Sequence, residues 1–511
     1  MPDRNTTNLC VEIIYSHFGP LTAKVAAVLL ARGRLTLAQV IRFTSLKPRT
    51  ARAAILILIQ HNLAWHAHSD EDGEIVEFNS EECLMRLRFG RFVWQAEQLF
   101  GPAAAEIVSL ILDHGKLRPP DIMTNLCLSR SKDVSVYSQA LFQLVSSSHL
   151  IPSTILFHVS PRDKLLQYER EEKNQIKNFP TAKELREAKE RAEARYRREQ
   201  EGDMKVGLKR KAAEDDVVDL VLAAVRERYN EAAATVMRAI LKTAEMKASM
   251  IDVRSDGLSA ASIIVHIPEN EDIVSGLAFS SSKKPSTMSA LKEYLGIFAA
   301  ADNPTPSGRA SSFISFGGVT SGKVFVEYEI ISRRLRRRIL EAVARERYGD
   351  EAVRVIRLLL DNGKMGGDQI AKAAMMAATA VRPLLSLLSA ESLISIQEVP
   401  KGADRNPQRT IYLWYVDLQK AYTVLLGNFY KTLYNIETRR RAEKDDTAVR
   451  AVLEKSERSD VREDPSLLSR FEREVLRAWE ERRDKLTILE MRVEEAVFIL
   501  RDLIVHSLED D

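Results

Sequence analysis

The stretch FGPLTAKVAAVLLARGRLTLAQV, residues 18–40, joins two amphipathic helical patterns through a glycine. Counted from Phe18, the marked positions at offsets +7, +11, +15, +17 and +22 are Val25, Leu29, Gly33, Leu35 and Val40. The same offsets from Phe100 give Ile107, Ile111, Gly115, Leu117 and Ile122. From Tyr348 they give Val355, Leu359, Gly363, Met365 and Ile370. From Tyr229 they give Val236, Ile240, Ala244, Met246 and Ile251, so only the glycine is missing. A register kept from four origins predicts four copies of one unit.

The unit continues beyond these offsets into a third helix and a hairpin. In the first copy, Thr36 is the expected N-cap of the second helix, and Pro48 falls in the first turn of the third. The expected apolar face of the third helix is Ile55, Leu58 and Ile59 in the first copy, and Leu384, Leu387 and Leu388 in the fourth.

Alternating polar and apolar residues follow the third helix. In SLISIQEVPKGADRNPQRTIYLWYVD (392–417) the alternation surrounds a turn rich in Pro, Gly, Asp and Asn, which predicts a β-hairpin. The third copy has a similar pair of segments, ASSFISF (310–316) and KVFVEYEI (323–330). Three helices followed by a hairpin are typical of a winged helix-turn-helix domain. An additional helical segment precedes each copy, so the unit is an extended winged helix.

The C-terminal region changes to long helices without a wing. One apolar series is Leu418, Tyr422, Leu425 and Phe429. A second series, with coiled-coil spacing, is Leu486, Leu489, Val493, Ala496, Leu500 and Leu503. The polar stretch 439–464 separates them, which favours an antiparallel hairpin of two helices. Binding of a partner helix is the alternative to packing within the chain.

The predicted fold class is therefore mainly α: four tandem extended winged-helix domains with small β-hairpin wings, followed by a C-terminal antiparallel coiled coil. The expected domains are winged helices at 1–90, 91–167, 217–331 and 332–417, and the helical hairpin at 418–511. The segment 168–216 is dense in mixed charge and poor in apolar residues, so it is expected to be a solvated helix or disordered and unable to bury a core. A second low-order stretch, 275–288, interrupts the third copy.

Composition limits the classes of function. The 511 residues include 75 basic and 72 acidic ones, a net charge of +3, so nucleic-acid contact has to come from local patches. The three cysteines form no CxxC pair, which indicates neither a disulfide framework nor a zinc finger. The N-terminus lacks the apolar core of a secretory signal, and an intracellular protein is expected. GLKRKAAEDD (207–216) is either a short nuclear address or a solvated charge cluster.

No catalytic, cofactor or metal site is predicted. Gly317, Gly322 and Lys323 match part of a phosphate-binding loop, but Val324 replaces the required hydroxyl residue and a strand pattern follows. A hairpin turn is the preferred interpretation, and an ATP-using enzyme is an alternative that depends on this stretch alone. His66 lies two residues from His68, without further residues at ligand spacing, so both are expected on the surface or wing.

Basic residues at two places are the candidate DNA contacts. Lys47, Arg49 and Arg52 stand at the start of the first copy's third helix. If all three contact phosphates, affinity should fall with salt with a log–log slope of only about −2.7, from roughly 0.9 per phosphate. The second candidate is RRLRRR, with Arg333, Arg334, Arg336, Arg337 and Arg338, for which a solvated helix is the alternative.

The remaining copies offer little positive charge. The third helix of the second copy, VSVYSQALFQLVSSS (134–148), has no basic residue, and that of the fourth has only Arg382. Most copies are therefore expected to bind protein, and DNA binding by the chain alone is expected to be weak.

The segment HFGPLTAKVAAVLLARGRLTLAQVIRFTSLKPRTARAAILILIQHNLA (17–64) resembles the N-terminal signature of the third-largest subunit of RNA polymerase III. The arrangement of four winged helices, a charged break and a C-terminal coiled coil is also similar to that family, which is related to the alpha subunit of transcription factor IIE.

This resemblance implies a nuclear, non-catalytic subunit without a cofactor. It implies a detachable heterotrimer with two smaller polymerase III subunits, docked on the polymerase clamp, that interacts with the initiation factor TFIIIB. Promoter recruitment and DNA opening for transfer RNA and 5S ribosomal RNA genes are the expected roles. The alternative is a free-standing regulator that binds DNA through its first winged helix.

Overall fold

We describe a computed structural model of the 511-residue chain. The described residues are 3–503 without 70–72, 130–133, 148, 154, 175–181, 205–207, 246–252, 269–272, 275–276, 278–285, 300–311, 318–321, 401–409 and 464–466. The chain forms two compact units. The first contains Met1–Ala213 and Tyr430–Glu494, and the second contains Glu214–Phe429 and Glu495–Asp511.

The secondary structure is mainly helical. The elements up to residue 204 are α1 (Arg4–Arg32), β1 (Leu35–Thr36), α2 (Leu37–Thr44), α3 (Pro48–Gln60), β2 (Ala64–Ser69), β3 (Gly73–Phe78), α4 (Ser80–Met85), α5 (Phe89–Phe100), α6 (Pro102–His114), α7 (Pro119–Ser129), α8 (Val134–Ser146), α9 (Pro161–Asn174) and α10 (Ala182–Met204), with short 3-10 helices at Arg86–Arg88 and Ile155–His158.

The later elements are α11 (Leu208–Arg228), α12 (Glu231–Glu245), β4 (Leu258–Ser259), α13 (Ala260–Ile264), α14 (Thr287–Phe298), β5 (Ile314–Gly317), β6 (Lys323–Val326), α15 (Tyr328–Tyr348), α16 (Asp350–Asn362), β7 (Met365–Gly366), α17 (Gly367–Ala374), α18 (Ala378–Ala390), β8 (Ser395–Pro400), β9 (Thr410–Tyr415), α19 (Leu418–Asp445), α20 (Thr447–Ser456), α21 (Ser459–Glu463) and α22 (Arg470–Arg501).

Glycines in the same backbone conformation mark the predicted repeat. Directly after the origin residues, Gly19, Gly101 and Gly349 have φ of 81°, 86° and 82°. Residues with a Cβ rarely adopt such φ values, so glycine fits this sharp entry into the next helix. In the third copy Asn230 stands at this place, and its side chain accepts a hydrogen bond of 2.7 Å from the backbone N–H of Ala233, which caps α12.

The first and fourth copies also share left-handed residues that are not glycine. Ser45 and Met375 both lie at offset +27, with φ of 55° and 54°. Asn62 and Ser392 both lie at offset +44, with φ of 59° and 57°. Because non-glycine residues seldom adopt this conformation, the agreement shows that the two copies follow one backbone path.

The wings pair as antiparallel sheets of one topology. In each of three sheets the short strand after the first helix pairs with the last strand of the hairpin, giving the orders β1-β3-β2, β4-β6-β5 and β7-β9-β8. Leu35 lies opposite Val76, and Met365 opposite Trp414. The hairpins predicted in the third and fourth copies are confirmed.

The second and third copies depart from the predicted pattern. The second has helices α6 to α8, but in its described part the 3-10 helix Ile155–His158 takes the place of a hairpin, between Pro152 and Pro161, which cannot donate to a sheet. In the third copy the strand equivalent to Leu35 begins at Leu258, which is offset +29 (258 − 229), so the gapless register through Met246 and Ile251 was wrong. Those two residues lie outside the described ones.

The predicted core positions are largely confirmed. Val25, Val40, Ile107, Val236 and Val355 are all fully buried. The capping prediction is also confirmed: Thr36 Oγ1 accepts from the backbone N–H of Gln39 at 3.4 Å, and Gln39 Oε1 accepts from that of Thr36 at 3.0 Å.

The apolar face predicted for the fourth copy's third helix was wrong at Leu387. This side chain is 53% exposed, and α18 buries Val381, Leu385 and Leu388 instead. The 3.6-residue helical repeat explains the difference, because positions 381, 385 and 388 share a face that excludes position 387.

The charged segment after the second copy forms a helical pair within the first unit. Arg195 on α10 binds Glu171 on α9 at 2.8 Å, and its guanidinium lies 4.2 Å from the ring centre of Tyr168. Tyr168, Ala188 and Ala192 are buried. The prediction of a solvated helix is correct for most of this segment, but the expectation that it cannot bury a core was wrong, since one tyrosine and two alanines suffice for a small one.

Two long helices, α19 and α22, form the C-terminal region. In the first unit Arg440 on α19 bonds to Glu490 on α22, and Glu443 accepts from Arg482 at 2.8 Å, so the pairing is antiparallel. The predicted coiled-coil seam is incomplete: Leu500 and Leu503 are buried, but Leu489 is 44% exposed.

Helix α1 is long and apolar enough to cross a membrane by composition, as are α17 and α18 together. The backbone break at Gly19 divides α1 into pieces shorter than the ~20 residues that a span requires, and a bend of 115° separates α17 from α18. In the folded chain these segments are winged-helix core elements.

Candidate nucleic-acid interface

The first copy presents its basic residues on an open helix start. Lys47 is the N-cap residue of α3, and Arg49 and Arg52 lie in its first turns, because Pro48 begins the helix. All three side chains are exposed, and the ion pairs within the described residues do not include them. The buried face of α3 consists of Ala51, Ala54, Ile55 and Leu58, so the cationic face points away from the core. This arrangement leaves three positive charges available to phosphates.

The fourth copy repeats one of these charges. Arg382 lies at offset +34 from Tyr348, as Arg52 does from Phe18, and both are exposed. Arg382 lies 3.5 Å from Asp368 at its nearest oxygen, with both side chains more than 70% exposed, so this pair is weak and open to exchange.

The second copy presents an uncharged surface at the equivalent helix. Along α8, Tyr137, Ala140 and Leu144 are buried, and the exposed apolar side chains are Val134, Val136, Phe142 and Val145. Phe142 is 72% exposed. Without positive charge this helix has nothing to neutralise phosphates, and its apolar side chains suit contact with protein.

The arginine run 333–338 lies on α15 and is largely engaged within the second unit. Arg336 is 8% exposed and donates to the backbone carbonyls of Ile499, at 3.2 Å, and Leu503. It thereby satisfies carbonyls at the end of α22 that have no partner in the helix. Burial lowers the pKa of Arg336.

The other arginines of the run also have partners. Arg333 binds Glu329 at 2.9 Å and Arg337 binds Glu341 at 3.0 Å, each one helical turn away, while Arg338 pairs with Glu227. The Arg334 guanidinium lies 5.0 Å from the ring centre of Phe313, and burial, with Arg228 nearby, lowers its pKa to about 10. Contact of these residues with DNA would require exchange of these interactions.

The phosphate-loop stretch belongs to a wing. Gly317 on β5 pairs with Lys323 on β6, and the helix that a phosphate loop needs does not follow. Residues 318–321 lie outside the described ones. The hairpin interpretation is confirmed by the pairing of β5 with β6.

The histidine and cysteine residues form no cluster of metal ligands within the described part of the chain. His66 is exposed on β2, and its ring centre lies 5.4 Å from that of His158. Cys10 and Cys83 are buried free thiols, and the Cys83 thiol lies 3.7 Å from the Cys10 carbonyl oxygen. Burial raises the pKa of Cys83, so this thiol stays protonated.

A junction between the first two copies was not predicted. The backbone N–H of Lys116 donates to the carbonyl of Gln60 at 3.3 Å, and its ammonium donates to the carbonyl of Ile59 at 2.8 Å. Burial lowers the pKa of Lys116 to about 8. Lys116 thus satisfies carbonyls at the end of α3, and the two copies are joined at the C-terminal end of the helix that carries the basic residues.

Comparisons with known proteins match two of the modules to family models. The RNA polymerase III subunit RPC82 helix-turn-helix domain matches residues 8–67, and the C-terminal winged-helix domain of POLR3C matches residues 340–416. Subunit RPC3 of DNA-directed RNA polymerase III from Mus musculus is 24% identical over 98% of both chains, and that from Homo sapiens is 22% identical over the same shares. The chain resembles RPC3 subunits along nearly its whole length. The predicted resemblance is confirmed.

A fungal RPC3 subunit, from Aspergillus niger, is 31% identical over 45% of this chain and 36% of its own length. The two matched domains are the first and fourth copies, which also share the left-handed residues at offsets +27 and +44. The comparisons do not favour the free-standing regulator.

Proposed function

We propose that this chain is a non-catalytic winged-helix subunit of RNA polymerase III. The observation that carries the proposal is the resemblance to RPC3 subunits over 98% of both chains. As such a subunit it acts in the nucleus with the other polymerase subunits. It joins two smaller subunits in a detachable heterotrimer on the clamp, interacts with TFIIIB, and supports promoter recruitment and opening at transfer RNA and 5S ribosomal RNA genes.

The proposal includes the organisation of the chain. Four extended winged-helix modules occupy 1–90, 91–167, 217–331 and 332–417, the helical segment 168–216 joins the second to the third, and 418–511 forms a coiled coil. Three paired wings and the shared glycine conformations support the repeated module.

Protein docking is the main role of these modules. The uncharged face of α8 with its exposed Phe142 supports this role, as does the exposed Leu56 on α3, which is 65% accessible beside the basic residues. A polymerase subunit of this kind contributes attachment surfaces, and the polymerase's own catalytic centre performs the chemistry.

Lys47, Arg49 and Arg52 are the proposed DNA contacts of the first module. Their proposed role is to neutralise phosphates, and contacts with phosphates carry no sequence information directly. The arginines at 333–338 make a smaller contribution, since each has partners in the chain.

Purification of the tagged full chain from its own cells, followed by mass spectrometry, tests the proposed function. Co-purification of the RNA polymerase III subunits in near-stoichiometric amounts is expected. Recovery of the folded chain without any polymerase III subunit would contradict the proposal, and recovery bound to promoter DNA alone would support the regulator instead.

A salt titration of DNA binding tests the DNA contacts. Replacement of Lys47, Arg49 and Arg52 by alanine should reduce the steepness of the log–log slope by about 2.7. The control removes the same number of charges from the exposed face of α10, at Lys183, Arg186 and Lys189, and should leave the slope within about 0.5 of wild type. Equal changes in both variants would rule out a specific contact at α3.

A further inference from the structure

The first module is held to the C-terminal helices by charged groups that lie within the first unit. Arg441 on α19 binds Glu12 on α1 at 2.6 Å, and its guanidinium lies 4.8 Å from the ring centre of Tyr15. Glu12 and Tyr15 stand one turn apart on α1, so Arg441 contacts a single helical face. Glu12 is 6% exposed, which places this ion pair inside the contact.

The neighbouring residue Arg440 joins two further carboxylates. One of its terminal nitrogens bonds to Glu437 on the same helix and the other bonds to Glu490 on α22. The side chains of Glu437 and Glu490 are 11% and 14% exposed. One guanidinium therefore stands between two partly buried carboxyl groups.

The other charged groups around this cluster are already engaged. Arg88 binds Glu494 on α22 at 2.8 Å. Glu443 on α19 accepts from Arg439 at 2.5 Å and from Arg482 on α22 at 2.8 Å, and both arginines are about half exposed or more. Solvent screens these two cations from the cluster.

Three carboxyl groups, the buried one of Glu12 and the partly buried ones of Glu437 and Glu490, thus share two guanidiniums. Burial, with the carboxylates of Glu490 and Glu12 nearby, raises the pKa of Glu437 to about 7 against the opposing effect of Arg440. A carboxyl in this setting is protonated at pH values where an ordinary glutamate is ionised.

We propose that Glu437 and Glu490 share one proton, and that this proton fastens the C-terminal helices to the first winged-helix module. With the proton present, the Glu437 hydroxyl donates to the Glu490 carboxylate and Arg440 balances the remaining charge. When water removes the proton, two carboxylates oppose each other across Arg440 and the Glu12 carboxylate adds to the repulsion.

The sign of the pH effect follows from the raised pKa. The folded chain binds this proton more tightly than the unfolded chain, so the contribution to stability is present at low pH and is lost as pH rises through about 7. The contact between α1 and α19 is therefore weaker in mildly alkaline solution. A glutamine at 437 keeps a hydrogen-bond donor without the titration, so Glu437→Gln reproduces the protonated state.

Hydrogen–deuterium exchange of the full chain tests this pH-dependent contact between α1 and α19. Exchange is measured at about pH 6 and about pH 8.5 and is corrected for the intrinsic exchange rate at each pH. Wild type should lose about tenfold protection in the segments 4–32 and 430–445 at the higher pH, and Glu437→Gln should keep its protection at both. Glu443→Gln is the matched control. The Glu443 carboxylate pairs with two arginines, so removal of its charge should weaken protection at both pH values.

Infrared difference spectra of wild type give a second readout that does not depend on any variant. A protonated carboxyl band that disappears near neutral pH, and is missing from Glu437→Gln, is expected. Equal wild-type protection at both pH values, or a pH-dependent loss that persists in Glu437→Gln, would overturn the proposal, as would a wild-type spectrum without such a band.

Discussion

Replacement of Gly115 by alanine should loosen the junction between the first two modules. Gly115 has φ of 78° and ψ of −137°, a region that a residue with a Cβ enters at a cost of about 1 to 3 kcal/mol. An added Cβ would also lie 2.6 Å from the backbone carbonyl oxygen of Gln60 and 3.1 Å from its carbon. Because backbone atoms cannot rotate away, the two modules must separate or shift, which adds about 1 to 3 kcal/mol.

Gly363 supplies a matched control, because it occupies the same offset in the fourth copy. Its φ of 72° and ψ of −133° are nearly the same as those of Gly115, but no atom lies within 4 Å of the position of its added Cβ. Gly363→Ala therefore reports the conformational strain alone, and the difference between the variants isolates the contact with Gln60.

Native-state hydrogen exchange of the full chain measures both effects locally. Gly363→Ala should increase exchange about 5- to 150-fold within its own module, near 350–374, which corresponds to about 1 to 3 kcal/mol. Gly115→Ala should increase exchange in α6, in α3 and at the amide of Lys116, which donates to Gln60. Wild-type protection of α3 in Gly115→Ala would refute the reasoning about the junction.

Two further predictions concern single side chains. Arg336→Ala removes the donor to the carbonyls of Ile499 and Leu503 and should destabilise the end of α22 by about 2 to 4 kcal/mol. Trypsin should then release the C-terminal segment faster. Arg336→Lys should lose less of this stability. Burial and the nearby Arg86 lower the pKa of His61 to about 4, so its stabilising contribution is present above pH ~6.5 and is lost as pH falls toward 4. Thermal unfolding of wild type should therefore shift to lower temperature across this range, and His61→Gln should reduce the shift.

The repeated helices could be predicted because their signal is local. Residues seven and eleven positions after each origin face one side of a helix, and the structure buries Val25, Val236 and Val355 completely. The turns at offset +15 were predicted from Gly33, Gly115 and Gly363, and all three glycines have positive φ. Spacing alone was sufficient for these features.

Features that depend on distant partners could not be read from spacing. The carbonyl of Gln60 meets the amide of Lys116, and neither residue type indicates a junction in the sequence. Arg336 belongs to a run of charges that is typical of a solvated helix, although the structure buries it against the end of α22. The extra residues before Leu258 moved the third copy out of register, because a longer connection leaves the helical periodicity on either side unchanged.

The candidate interface was predictable only at α3, where exposed Lys47, Arg49 and Arg52 follow directly from the helix start at Pro48. The arginine run was ambiguous because a solvated helix and a phosphate-binding helix have the same composition. In the structure, Arg333 and Arg337 form ion pairs with Glu329 and Glu341 on the same helix, so these arginines bind partners within the chain.

Transcription by RNA polymerase III depleted of this chain tests the account most directly. On a transfer RNA gene promoter, specific initiation should be lost and should return when the full chain is added with its partner subunits. On a template with a single-stranded tail, which needs no promoter opening, the depleted enzyme should synthesise RNA at the normal rate. Unchanged promoter-specific initiation after depletion would contradict the account, and so would equal loss of synthesis on the tailed template.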